Sequence, residues 1–188
     1  MLLHPDSRVL DSGVLTALPK PQRSLWADVE LPGRDPITVV SWHTPNAAGD
    51  GRDTKMAAYA AMSDWLAEAK HPVVLGADLN TWRDPVDLVP ADPEDDFFEE
   101  HAFVGLDPPH GLVDAYRSVL ESSGQLDQLR RDRPGGPLAV SHVLSGGAEH
   151  RMDRIFASPG LRVIAADYAY EEALESGSDH ALHWVDCD

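Results

Sequence analysis

The opening part of the chain alternates apolar and polar positions with the period of a β-strand. Over residues 24–31 every second side chain is apolar, and the side chains that share this face are Leu25, Ala27, Val29 and Leu31. Residues 32–36, Pro-Gly-Arg-Asp-Pro, interrupt the pattern, and a mostly apolar run follows over residues 37–42. Turn residues between two such runs are typical of a hairpin. The pattern therefore predicts a hairpin that leads into a central strand.

The period then lengthens to that of an amphipathic helix. Within residues 52–70 apolar side chains recur three and four positions apart, and Pro72 ends the pattern. Residues 73–75, Val-Val-Leu, predict a short buried strand. That strand runs directly into Gly-Ala-Asp-Leu-Asn at residues 76–80.

The second half of the chain is less regular. Residues 81–109 contain five prolines and predict a loop, with a solvated acidic run over residues 92–100. Residues 112–120 predict a short helix, and the glycine-rich residues 121–149 predict irregular structure. The last predicted strands are residues 152–158, 161–166 and 181–185. Two β-rich halves around a helix predict one α/β domain over residues 1–188, with packed sheets and helices outside.

Composition and charge narrow the classes of function. The 188 residues carry a formal net charge of −17, which argues against a basic surface that holds nucleic acid through its phosphates. The charge does not exclude a nuclease, because a metal ion can neutralise the substrate locally. The single cysteine, Cys187, excludes an internal disulfide, a cysteine-based zinc site and an iron–sulfur site.

The chain shows no targeting or membrane signal of its own. No apolar run approaches the ~18 residues that span a bilayer, and residues 1–10 lack the apolar segment of a signal peptide. We expect a soluble monomer. Its localisation, cytoplasmic or secreted, stays open because a signal peptide upstream of Met1 would leave no trace in this sequence.

Polar side chains directly follow four of the apolar segments, where a rigid scaffold can aim them into one cleft. Hard carboxylate oxygens favour Mg²⁺ or Mn²⁺ over zinc. A carboxylate beside an imidazole raises the imidazole pKa and fixes its tautomer, which suits the ring to donate a proton or hold a phosphate oxygen. The set therefore predicts metal-assisted attack of water on a phosphoester. Its members are His43, Asp78, Asn80, Asp153, Asp179 and His180.

Each of these residues alone has a plainer interpretation. An aspartate after a strand, such as Asp78 or Asp179, is more often a turn former or a helix N-cap than a catalyst. His43 alone is more typical of a core or turn histidine. The other seven histidines, including His142 and His150, lack such a context and are interpreted as ordinary.

The order of the motifs along the chain resembles the endonuclease/exonuclease/phosphatase superfamily, which includes deoxyribonuclease I. The resemblance runs from Val39 to the C-terminus and rests on a histidine, Gly-x-Asp-x-Asn, Arg-x-Asp-x-Ile and Ser-Asp-His in that order. The superfamily motif is usually Gly-Asp-x-Asn, and here Ala77 stands between Gly76 and Asp78. The resemblance implies a four-layer α-β-β-α sandwich with two mainly antiparallel sheets, as in deoxyribonuclease I.

The same resemblance implies a role for each candidate. Asp78 would orient and deprotonate the attacking water, and Asn80 would bind the scissile phosphate. His180 would stabilise the developing charge on the phosphate, with Asp153 orienting its ring. Asp179 would bind the divalent metal, directly or through water, and His43 would be the acid for the leaving oxygen.

One part of the superfamily pattern has no match. Full members begin with a strand that carries an asparagine and a later strand that ends in a glutamate, the principal metal ligand. Residues 1–31 resemble the region after that glutamate, and Glu30 does not match it. The resemblance thus implies missing N-terminal strands, and we expect low activity or none unless they are supplied. A truncated gene or fragment and a chain that evolved without the segment are both open.

The leading hypothesis is a Mg²⁺-dependent phosphoesterase, either a phosphodiesterase, a nuclease or a phosphatase. The alternative is an inactive module of the same fold that holds a phosphorylated ligand or a protein partner. A serine hydrolase is disfavoured because the chain has no Gly-x-Ser-x-Gly. The substrate stays open among small phosphoesters, lipid headgroups and nucleic acid, and the acidic charge favours the first two.

Overall fold

A computed structural model describes residues 5–81 and 98–188, without the side chains of residues 98, 99 and 101. Within these residues the strands are β1 (Arg8–Gly13), β2 (Ser24–Glu30), β3 (Ile37–His43), β4 (Val73–Asp78), β5 (Val113–Asp114), β6 (His142–Val143), β7 (Glu149–His150), β8 (Asp153–Ala157), β9 (Val163–Ala169) and β10 (Leu182–Cys187). The helices are α1 (Ala47–Asp50), α2 (Arg52–Ala67), α3 (Phe98–Val104), α4 (Ala115–Ser122), α5 (Leu126–Asp132) and α6 (Tyr170–Glu175), with a 3₁₀ turn at Pro21–Arg23.

The main sheet has the strand order β1-β2-β3-β4-β8-β5. The predicted hairpin is confirmed, since β2 and β3 pair antiparallel. Strands β3 and β4 pair parallel, which requires a crossover connection, and helix α2 supplies it. Strand β8 then pairs antiparallel with β4. The carboxyl ends of β3 and β4 and the beginning of β8 therefore meet at one edge of the sheet.

Helix α2 packs on one face of this sheet and forms the main apolar core. Alternate residues of β4, such as Leu75 and Ala77, belong to the core cluster with Tyr59 and Met62 of α2. The Tyr59 ring lies edge-on to Phe103 with centroids 5.1 Å apart. The period-2 pattern of the strands and the longer period of α2 thus bury the same interface.

Helix α3 corrects the prediction of a loop over residues 81–109. Phe103 and Val104 are fully buried, and Glu100, at the end of the predicted solvated run, is fully buried as well. Because prolines lie on both sides of this short helix in the sequence, the hydrophobic pattern alone predicted a loop here. The rest of the acidic run, residues 92–97, lies outside the described residues. Helix α5 and the strands β6 and β7 likewise occupy part of the predicted irregular segment.

A second sheet, formed by the antiparallel pair β9 and β10, packs against the main sheet. The Tyr168 hydroxyl of β9 donates a 2.6 Å hydrogen bond to the backbone carbonyl of Asp153. The Tyr168 ring stacks on His183 of β10 at 3.9 Å. Packed sheets flanked by helices confirm the predicted α/β class. No helix in the described part of the chain is long and apolar enough to span a membrane.

Candidate active site

Three of the predicted site residues form a row across the main sheet. His43 at the end of β3 is the register partner of Asp78 at the end of β4, and Asp78 is the register partner of Asp153 at the start of β8. Side chains directly opposite one another on neighbouring strands lie on the same face. The His43 Nε2 atom lies 3.5 Å from the Asp78 Oδ2 atom.

These side chains open into a cleft of about 870 Å³. Its lining includes His43, Asp78, Asp153 and His180, and the apolar Leu25 and Leu182 lie further along its walls. The His43 side chain is 57% exposed and the Asp78 side chain 20%. The lining thus contains two carboxylates and three imidazoles, the third being the buried ring of His183.

Asn80 lies two residues beyond the end of β4 in a left-handed backbone conformation, with φ of 48°. Asparagine tolerates this region better than most residues. The Asn80 backbone N–H donates to Asp78 Oδ1 at 2.9 Å, and its side-chain amide donates to the Thr44 carbonyl at 3.0 Å. The Asn46 amide donates to Asn80 Oδ1 at 3.2 Å. These contacts fix the Asn80 amide next to Asp78.

A buried ion pair beneath Asn80 is a feature that the sequence analysis missed. The Lys55 ammonium of α2 donates to the Asn80 backbone carbonyl at 2.7 Å and lies 2.8 Å from a Glu100 oxygen. The Thr81 hydroxyl donates to the other Glu100 oxygen. The helical pattern in the sequence could have revealed this ion pair, because Lys55 lies on the same helical face as the buried Tyr59, Met62 and Leu66. A lysine on such a face needs a partner.

Asp153 and His180 form a close pair across the cleft. The His180 Nδ1–H donates to Asp153 Oδ2 at 2.8 Å. Burial lowers the pKa of His180, but the hydrogen bond to Asp153 and the charges of Asp153, Asp78 and Asp179 raise it more, so the net shift is upward. Burial and the charge of Asp78 raise the pKa of Asp153 against the opposing effect of His180. The pair therefore keeps a proton to higher pH than a free imidazole would.

Asp179 and His142 lie beside His180. The His142 ring stacks on the His180 ring, with centroids 4.6 Å apart and planes at 26°. The His142 Nδ1–H donates to the Asp179 backbone carbonyl at 3.0 Å. His142 was interpreted as ordinary from the sequence, and the structure places it against a predicted site residue. Nothing in the local sequence pairs positions 142 and 180, which an isolated antiparallel bridge joins.

In the described part of the chain, two groups of side chains could each hold a metal ion. Each group offers three ligand atoms that lie within 4.8 Å of one another. One consists of Asp78, Asp153 and His180, and the other of His142, Asp179 and His180. The raised pKa of Asp153 reflects burial next to a second carboxylate, a repulsion that a bound cation would relieve. The first group therefore fits a divalent cation through its carboxylate oxygens.

Solved structures with the same fold are found, although neither a protein-family model nor a curated protein sequence matches the chain. One is the 3′ phosphatase NExo from Neisseria bound to a product DNA hairpin, at 22% identity and a TM-score of 0.63, with 97% of this chain and 72% of that chain covered. Another is the endonuclease/exonuclease/phosphatase from Bacteroides vulgatus, at 16% identity and a TM-score of 0.60, with coverages of 97% and 66%. The prediction of the superfamily is thus confirmed at the level of architecture. The chain has the fold of the endonuclease/exonuclease/phosphatase proteins.

Proposed function

We propose that the protein hydrolyses phosphoester bonds with the help of a divalent metal ion, by attack of water on phosphorus. The observation that carries the proposal is the row of His43, Asp78 and Asp153 across three strands, with His180 hydrogen-bonded to Asp153 at the same cleft. An acid, a base and a group that stabilises negative charge are the parts that such an attack requires. The fold shared with a 3′ phosphatase supports the same reaction class.

Asp78 is the proposed base for the attacking water. Its Oδ1 atom accepts the Asn80 backbone N–H, so its carboxylate is held in one orientation while Oδ2 faces His43. Asn80 is the proposed contact for the scissile phosphate, because its amide is held next to Asp78 and carries no charge. His43, the more exposed imidazole, is the proposed acid for the leaving oxygen.

His180 is the proposed donor to the developing charge on the phosphate. Asp153 accepts the Nδ1–H of the ring, which leaves the Nε2–H of the protonated imidazole for a phosphate oxygen. Charge-assisted donors of this kind act most strongly where water is excluded. Asp153 is the proposed positioning residue, which holds the ring and raises the pKa of His180.

Mg²⁺ or Mn²⁺ is the proposed cofactor. The carboxylates of Asp78 and Asp153 would hold it, and Asp179, which shares a potential ligand group with His180, would join them directly or through water. When bound, such an ion supplies charge neutralisation at the phosphate and polarises its oxygens. The proposed substrates are small phosphoesters or lipid headgroups, because a net charge of −17 repels a long polyanion.

The test is hydrolysis of bis-(p-nitrophenyl) phosphate by the full chain with Mg²⁺ or Mn²⁺. We expect metal-dependent release of p-nitrophenol that Asp78→Ala or His180→Ala abolishes. His71→Ala is the matched control, because His71 lies near Asp28 and away from the cleft. Activity that persists in both variants and in EDTA would rule the mechanism out.

The second candidate is a module that binds a phosphorylated ligand in this cleft without turnover. It is favoured by the absence of glutamate from both potential metal groups in the described residues, since superfamily resemblance implies a glutamate as the main metal ligand. Calorimetric binding of p-nitrophenyl phosphate with no hydrolysis under any metal would establish this second candidate in place of the first.

A further inference from the structure

The stacked imidazoles of His142 and His180 share a geometric feature, of which the proposed hydrolysis uses only the His180 part. Each ring donates its Nδ1–H to an oxygen, in His142 the backbone carbonyl of Asp179 and in His180 the carboxylate of Asp153. A backbone carbonyl can only accept, so the Nδ1 atom of His142 carries the proton. In the neutral form of each ring the Nε2 atom is then left as the unprotonated nitrogen.

This arrangement is the usual supporting geometry of a histidine metal ligand. A ligating histidine binds through one nitrogen while the other donates to a carboxylate or a backbone carbonyl, which fixes the tautomer and the ring orientation. Here both kinds of acceptor occur on adjacent rings whose centroids lie 4.6 Å apart. The third potential ligand is the exposed carboxylate of Asp179, within 4.8 Å of the two histidine ligand atoms.

We propose that His142, Asp179 and His180 form a binding site for a borderline transition-metal cation such as Zn²⁺. Two imidazole nitrogens and one carboxylate suit zinc, which takes His and Asp ligands in tetrahedral sites with water in an open position. The group of Asp78 and Asp153 offers mainly hard oxygens and suits Mg²⁺ or Mn²⁺ instead. The two groups therefore prefer different cations, and they share His180.

Sharing His180 makes the zinc site inhibitory. A zinc ion on the Nε2 atom takes the place of the hydrogen that His180 would donate to the phosphate. It also occupies the carboxylate of Asp179, which is then not available to Mg²⁺. Zinc should therefore lower the Mg²⁺-supported rate while it is bound. This consequence rests on the proposed hydrolysis, whereas the binding of zinc itself does not.

The site is tested by calorimetric titration of the full chain with Zn²⁺ alone at neutral pH. We expect one tight equivalent in the wild-type chain. His142→Asn should weaken binding at least tenfold, because an asparagine amide keeps a donor near the Nδ1 position but has no Nε2 ligand. His71→Asn is the matched control and should bind zinc as the wild-type chain does. Equal affinity of the wild-type and His142→Asn chains, or no binding to either, would overturn the site.

A second readout separates this proposal from the proposed function. Added Zn²⁺ should inhibit Mg²⁺-dependent hydrolysis of bis-(p-nitrophenyl) phosphate, and His142→Asn should need at least tenfold more zinc for the same fractional inhibition. A chain that binds zinc through His142 but hydrolyses nothing supports the site and contradicts the proposed function. Hydrolysis whose inhibition by zinc is unchanged in His142→Asn contradicts the inhibitory site and leaves the hydrolysis standing.

Discussion

Asp114 and Asp153 are carboxylates on adjacent strands of the main sheet, yet their surroundings act on them in opposite directions. Asp114 ends β5 and is almost fully buried, with an Arg151 Nη1 atom at 2.8 Å and an Arg154 Nη1 atom at 3.1 Å from its Oδ2 atom. Burial alone would raise the pKa of Asp114, but the guanidiniums of Arg151, Arg154 and Arg117 hold it far below its usual range.

Asp153 starts β8 and has no guanidinium at its carboxylate among the contacts of the described residues. Its close partner is His180, and its neighbour Asp78 is another anion. Burial and the charge of Asp78 raise the pKa of Asp153.

The number of permanent cations, more than burial, separates the two carboxylates. Arginine stays charged at any working pH, so Asp114 is a fixed anion that can only hold structure. Histidine titrates near neutral pH, so the pair of Asp153 and His180 can gain and lose a proton. The difference indicates that Asp114 on β5 holds structure, whereas the surroundings of Asp153 on β8 allow its pair with His180 to exchange a proton.

The largest effect is expected from Asp114→Asn. The amide keeps the N-cap acceptor for the Arg117 backbone N–H but removes the charge that faces three buried guanidiniums. Breaking a buried ion pair from one side costs about 3–5 kcal/mol, and urea denaturation should show a loss of that size. Glu30→Gln is the control, because its pair with Arg8 is exposed and is worth about 1 kcal/mol at most. A similar small loss in both variants would contradict the structural role of Asp114.

Asp153→Asn is expected to leave the fold nearly intact and to damage the reaction. Loss of a residue that positions an acid–base group should lower kcat by about 10²-fold or more. The carboxylate raises the pKa of His180, so its removal lowers that pKa. A rate that needs protonated His180 should then fall at lower pH than in the wild-type chain.

The pH profile of kcat/KM between pH 5 and 9 measures this shift. Asp28→Asn is the control, since Asp28 lies near His71 outside the cleft and should leave the profile unchanged. An alkaline limb at the same pH in the Asp153→Asn and wild-type chains would show that Asp153 does not position His180.

The contrast also shows which parts of the molecule can be predicted from the sequence. The hairpin, helix α2 and the strand before Asp78 follow from local periodicity, which depends on residues two to four positions apart. The cleft was predictable in part because polar residues at strand ends collect at one sheet edge, as His43 and Asp78 do. The prediction that the other two follow strands was wrong, since Asp153 starts β8 and His180 follows helix α6, although both line the same cleft. The roles of these residues stay predictions.

Contacts between residues that are far apart along the chain could not be predicted from the sequence. The guanidiniums around Asp114 come from positions up to 40 residues away, and His142 meets His180 only through a bridge between separate segments. Helix α3 was missed because tertiary burial of Phe103 and Val104, rather than local pattern, stabilises it. Charge partners and short helices of this kind depend on how separate segments pack together, which the pattern of a single sequence does not specify.

The smallest expected effect concerns His183, and it tests the structure rather than the proposed reaction. This ring stacks on Tyr168, and within the described residues neither of its nitrogens has a hydrogen-bond partner. Burial lowers the pKa of His183 to about 3, Asp114 opposes the shift, and Arg151 and Arg154 reinforce it. His183 therefore stays neutral, whereas the hydrogen bond to Asp153 and the neighbouring carboxylates raise the pKa of His180.

The stability of the wild-type chain should consequently fall as pH drops below 6.5, because the unfolded chain binds a proton at His183 that the folded chain does not. The loss is about 1.4 kcal/mol per pH unit and about 2 kcal/mol at pH 5. His183→Phe keeps a flat ring against Tyr168 and should remove this part of the pH dependence. Urea denaturation at pH 7 and pH 5 measures it, with His71→Phe as the control. If the His183→Phe and wild-type chains lose equal stability between these pH values, the ring is protonated in the folded protein and the arginine cluster does not exclude a further cation.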